Sequence, residues 1–132
     1  MSDTYAKLHG TTVDRFKIGL NNQRVSLTGV TSGVNQSQLV DRDGNNLIVS
    51  STVFFTAYVV GRGENTAAYE IKGCYLQGTT TVTGYVVDTF VDTADFTAPT
   101  ISFNISGEMT LTCFGVQDDT ISWTAVVDVV SI

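Results

Sequence analysis

Residues 59–73 read VVGRGENTAAYEIKG, an apolar run broken by Gly61-Arg62-Gly63-Glu64-Asn65 and then resumed by alternating aromatic, charged and aliphatic residues. The fold turns on how that break is read. A dinucleotide-binding loop needs a third glycine and a helix whose N-terminus meets the pyrophosphate. Here Thr66 stands where that glycine belongs, and a strand-like pattern follows. A hairpin needs only a short loop whose glycines reach positive φ, and the five residues GRGEN meet that need. The segment is therefore read as two antiparallel strands joined by a turn.

Working outward, the strand before the break, TVFFTAYVVG, carries apolar residues on both parities. That pattern places it centrally in a sheet or at a subunit interface, with both faces covered by protein. The strand after it sets Ala67, Tyr69, Ile71, Gly73 and Tyr75 against Ala68, Glu70, Lys72 and Cys74, so one of its faces is wet. Downstream, TVTGYVVDTFV, TISFNIS, MTLTCFG and TISWTAVVDVV repeat the theme between turn signals at Gly78, Asp95 to Pro99, Gly107 and Gln117 to Asp119. In the last strand Ile121, Trp123, Ala125, Val127 and Val129 share one face, with Trp123 as the core anchor. Seven to nine strands at this spacing predict an all-β, antiparallel β-sandwich of jelly-roll-like arrangement.

Upstream, residues 1–45 are more polar, with NNQ, TSG and NQSQ breaking short alternations such as Phe16, Ile18, Leu20 and Val25, Leu27. They are read as an N-terminal arm or edge layer with short strands, and residues 46–132 as the compact module. Asp43-Gly44 predicts a turn that feeds a strand at Leu47 to Val49.

Composition agrees with sheet. Thr, Val and Ile supply 45 of the 132 residues, and branched side chains fit a pleated surface better than a helix. A net charge of −6 with only seven Lys and Arg excludes nucleic acid as the expected partner. No apolar run approaches the ~18 to 20 residues of a membrane-spanning helix, and the start, MSDTYAKLHG, lacks the apolar core of a secretory signal. Neither membrane insertion nor secretion is expected. Cys74 and Cys113 are expected as free thiols, Cys113 facing the core with Met109 and Leu111.

Candidate chemistry is sparse. DRDGNN places its glycine fourth, where a calcium hand needs it sixth. Asp88, Asp92 and Asp95 read as turn formers at a strand end, and His9, the single histidine, completes no triad. No cofactor and no catalytic residue is expected, and the chain is read as a non-enzyme. Tyr58, Tyr69, Tyr75, Tyr85 and Phe90 are candidates for a sugar-stacking platform, with sheet and interface packing as the competing role.

The order VVGRGENTAAYEIKG, GYVVDTFVD, ISFNIS with MTLTCFG, and TISWTAVVDVVSI resembles the C-terminal module of tailed-bacteriophage fibre and virion structural proteins. The matching positions are Val60, Gly61, Arg62, Ala68, Tyr69, Gly73, Ile121, Trp123, Ala125 and Val127, with Gly61, Arg62, Tyr69, Gly73 and Trp123 as the structural signature. The resemblance implies a non-enzymatic homo-oligomer, commonly a trimer, assembled in the host cytoplasm and displayed on the virion. Its implied partners are other capsid or tail proteins, reached through an N-terminal segment with Tyr5, Leu8, Phe16 and Ile18 as attachment residues. The chain carries no collagen-like repeat or coiled coil, which points to capsid decoration or a small fibre rather than a long tail fibre. The alternative is an adhesin at a tail-fibre tip that attaches to a carbohydrate on the host surface.

Overall fold

The computed structural model describes residues 15–17 and 22–132, with side chains from residue 22 onward. Among the described residues nine strands follow one another: β1 (Arg15–Lys17), β2 (Asn22–Ser32), β3 (Gln36–Gln38), β4 (Val53–Arg62), β5 (Thr66–Tyr75), β6 (Val82–Asp92), β7 (Thr100–Phe103), β8 (Met109–Phe114) and β9 (Thr120–Ser131). Among the described residues there is no helix. The strands form a six-stranded sheet in the order β1-β2-β9-β4-β5-β6 and a three-stranded sheet in the order β3-β8-β7. Every pairing is antiparallel.

The last strand, β9, is the spine of the larger sheet. It pairs with β2 from Asn22↔Val130 to Ser32↔Thr120, and with β4 from Val53↔Ser131 to Arg62↔Ser122. Its odd-numbered residues from Ile121 to Val129 are all buried, as their alternation predicts. Against them, across the interior, lie Ile101 and Phe103 of β7 and Met109, Leu111 and Cys113 of β8, in one continuous core. Phe103 is the junction between the sheets: Tyr75 stacks on it at 4.2 Å and 12°, and Phe55 tilts onto it at 5.4 Å. Burying side chains of this size contributes about 1.5–3 kcal/mol each, so the aromatic junction is a main source of adhesion between the layers.

Three sequence readings change. Strand β4 is central, but only its odd parity is covered: Val53, Phe55, Ala57 and Val59 are buried, whereas Phe54, Tyr58 and Val60 face outward from this chain. Residues 22–45 are not set apart from the module. Strand β2 is hydrogen-bonded to β9 along its length, Val25, Leu27 and Leu39 belong to the core, and Val40 bridges to Thr28. Before Asn22, Arg15–Lys17 pairs with β2 in the same sheet, and the rest of the segment read as an arm lies outside the described residues. Leu47 to Val49 forms no strand; Ile48 makes an isolated bridge to Glu108, while Leu47 and Val49 plug the core beside the Gly107 turn. The Asp43-Gly44 turn is present: Gly44 has φ of 82°, and one Asp41 carboxylate oxygen accepts the N–H groups of Asp43 and Asn45.

Candidate functional site

The β4–β5 turn that opened the sequence reading is shorter than GRGEN. Gly61 and Arg62 belong to β4, so Gly63, Glu64 and Asn65 alone make the turn. Neither Gly61 nor Gly63 is among the glycines with positive φ. Their requirement is close approach rather than left-handed backbone. A Cβ on Gly61 would lie 2.6–2.8 Å from the ring atoms of Trp123, and one on Gly63 would lie 2.6 Å from both an Asp119 carboxylate oxygen and the Thr120 carbonyl. Ordinary carbon contacts sit near 3.5–4.0 Å, so both positions exclude a side chain.

Trp123 is flanked by glycine on both neighbouring strands, Gly29 on β2 and Gly61 on β4. The indole covers Gly61, whereas the space at Gly29 is taken by the Leu39 side chain, 2.6 Å from where a Cβ would stand. The indole Nε1 donates to Thr31 Oγ1 at 2.9 Å, which accounts for a buried threonine on the core face of β2, and Phe96 meets the ring edge-on at 5.7 Å. Asp119, just before β9, is the residue that sequence reading missed. Its carboxylate accepts the N–H of Glu64 at 3.0 Å, the N–H of Asn65 at 2.9 Å and the Asn65 side-chain amide at 3.2 Å. These donors, the Asn65 N–H first, stabilise the charged carboxylate and hold its pKa below the ordinary carboxylate range. Sequence offered only a turn signal there, because the partners lie 54 and 55 residues away.

The remaining signature residues are also architectural, except Arg62. Tyr69 is buried opposite Val59; burial first, then Asp92 and Cys113, pushes its hydroxyl up to about 12. That hydroxyl has no hydrogen-bond partner among the described residues. A Cβ at Gly73 would meet Val82 at 2.8 Å and the Phe55 ring at 3.2 Å, so this glycine lets β6 and Phe55 close together. Arg62 is exposed on the outer face of the larger sheet. Tyr5, Leu8 and Ile18 lie outside the described residues, as does His9; Phe16 is described only as backbone, paired with Arg24.

The aromatic platform is not assembled as one surface. Tyr69 and Tyr75 are core residues, the latter donating from its hydroxyl to the Asn104 carbonyl at 3.1 Å. The Tyr85 hydroxyl accepts the Ile101 N–H at 3.1 Å, tying β6 to the smaller sheet. Phe90 is exposed on the edge strand β6, and Tyr58 stands on the outer face of β4, where with Val60, Arg62, Ser122, Thr124 and Val126 it lines a shallow depression of about 390 Å³. Asp92 is a turn residue, one oxygen accepting the N–H groups of Ala94 and Phe96. Among the described residues no group of three or more His, Cys, Asp or Glu is placed to hold a metal ion. Cys74 is half-buried and Cys113 buried, both as free thiols, and burial raises the Cys113 thiol to about 12.

No protein-family model matches the chain, and comparison with curated proteins and with solved structures gives no match either.

Proposed function

We propose that the chain is a non-enzymatic structural protein of a bacteriophage virion, of the fibre or capsid-decoration type. In this reading it forms a jelly-roll-like β-sandwich, in the loose sense that β9 returns between β2 and β4, and it associates as a homotrimer. The segment before Asn22 attaches it to a neighbouring capsid or tail protein, and assembly takes place in the host cytoplasm. The observation that carries the reading is what the signature residues do. Gly61, Gly73, Tyr69 and Trp123, the residues that resemble fibre modules, are spent on fitting β4, β5, β6 and β9 together. A motif used this way marks a scaffold whose task is shape. Association is supported by Phe54, Tyr58 and Val60, which β4 turns outward.

The experiment is reconstruction of the intact virion to side-chain resolution. This chain should occupy density on the capsid or tail exterior, its N-terminal end against a neighbouring protein. Particles that form normally and lack the chain would refute the proposal.

A second reading, a host-glycan adhesin, is favoured by the depression in which Tyr58 and Arg62 flank Ser122 and Thr124. It predicts saturable glycan-array binding lost in Tyr58→Ala. Silence across the array, with no adsorption to host cells, would retire it.

A further inference from the structure

The two outward faces of the molecule are chemically unlike. On the smaller sheet the outward positions are Thr100, Ser102, Thr110, Thr112 and Gln38, with half-buried Phe114 at one corner. On the larger sheet, register places Val130, Phe54 and Cys74 in one cross-strand row, and Val126 beside Tyr58 four residues along, with Asp128, Thr56 and Lys72 in the row between. A third row runs Val60, Ala68, Val91. Phe54 is 57% exposed, Tyr58 47% and Val130 42%. Single exposed apolar residues are ordinary on a protein surface; apolar residues recurring across the strands of one face around its paired charges, with hydroxyls and amides on the other face, are not.

The charges on that face identify its occupant. Arg24 holds Asp128 with two bonds of 2.7 and 3.2 Å, and Lys72 lies 4.0 Å from Glu70. Arg62 and Asp88 complete the set, on β4 and β6. Three cations thus balance three anions on a chain whose net charge is −6. Copies that repel one another through the rest of their surface meet no net repulsion here. The area is also of the right order. Five strands ~4.8 Å apart, β2 to β6, each presenting about nine residues at ~3.3 Å, span roughly 700 Å², close to the ~800 Å² per partner of a stable protein–protein contact.

We propose that the outer face of the six-stranded sheet, centred on Tyr58, docks a second copy of this chain. This deepens the assembly reading above and rests on it. Cys74 lies within the contact, beside Phe54, and Cys113 lies in the core, so the chain carries one thiol on the proposed contact and one sheltered from solvent.

The test uses the full chain. Sedimentation of Tyr58→Glu should show association weakened by at least about tenfold, as expected for an aromatic at the centre of a contact, while Thr112→Glu on the smaller sheet associates like the unmutated protein. Near-UV circular dichroism of Trp123 confirms that each variant is folded. In the unmutated chain, maleimide labelling of Cys74 should slow as protein concentration rises through the association range, with Cys113 inert throughout. If Tyr58→Glu misfolds, the labelling decides alone. Oligomers that survive Tyr58→Glu unchanged and label Cys74 equally fast at all concentrations overturn the assignment of this face while leaving assembly intact. A single-chain mass at every concentration overturns both.

Discussion

Trp123 between Gly29 and Gly61 is the point at which single residues decide this fold. The large ring is accommodated because its neighbour on β4, Gly61, has no side chain, and its one polar atom is satisfied by Thr31. Gly61→Ala should force the ring or β4 to shift, at a cost of about 1–3 kcal/mol, the usual penalty for overpacking. Urea unfolding followed by fluorescence reads this directly, since Trp123 is the single tryptophan. Asp119 supplies a second test. Its folded-state pKa is lowered, so its contribution to stability is fully present above the ordinary value of 3.8 and is lost as pH falls through the lower folded value. Asp119→Asn should be less stable than the parent at neutral pH, with the gap closing at strongly acid pH. Thermal melts at a series of pH values measure it; a gap independent of pH would mean that the carboxylate's charge contributes nothing.

At the scale of elements, the strands differ in how visible they are in sequence, and the difference has a physical cause. Strands β5 and β9 announce themselves because each buries one parity of large side chains. In β4 both parities are apolar, and sequence predicts both faces covered by protein, centrally or at a subunit interface; the central position is found, and the outward parity is left to solvent within one chain. Strand β2 was legible only in part. Two of its core-facing positions are Gly29, which leaves room for Leu39, and Thr31, which bonds Trp123, so the apolar alternation stops after Leu27. The turn glycines were recognised, but their reason was not: the clash at Gly63 involves Asp119 and Thr120, which only tertiary structure brings near. The same elements differ in expected stability. Strand β9 is paired on both sides and buried on one face, whereas β6 is an edge strand with most of its residues exposed and register shifts opposite Ala68/Tyr69 and Lys72/Cys74. Hydrogen exchange should therefore be slowest for the amides of Ile121 to Val129 and at least about a hundredfold faster along β6, since edge strands open locally without global unfolding. Equal protection in the two strands would show that something outside the chain's own sheets covers the β6 edge.

At the scale of the whole molecule, one chain forms two antiparallel sheets around a single core, with a hydroxyl-rich exterior on one side and an apolar, charge-balanced one on the other. A monomer would leave the second side wet. The proposed role, a scaffold repeated on a particle surface, gives that side a use without invoking chemistry for which the described residues offer no assembled site. The measurement that bears most directly on this is the mass of the purified protein in solution, by sedimentation equilibrium across a wide concentration range. The account predicts a species of three times the 14.2 kDa chain mass that dissociates on dilution; a particle of 14.2 kDa at the highest concentration reached would contradict it.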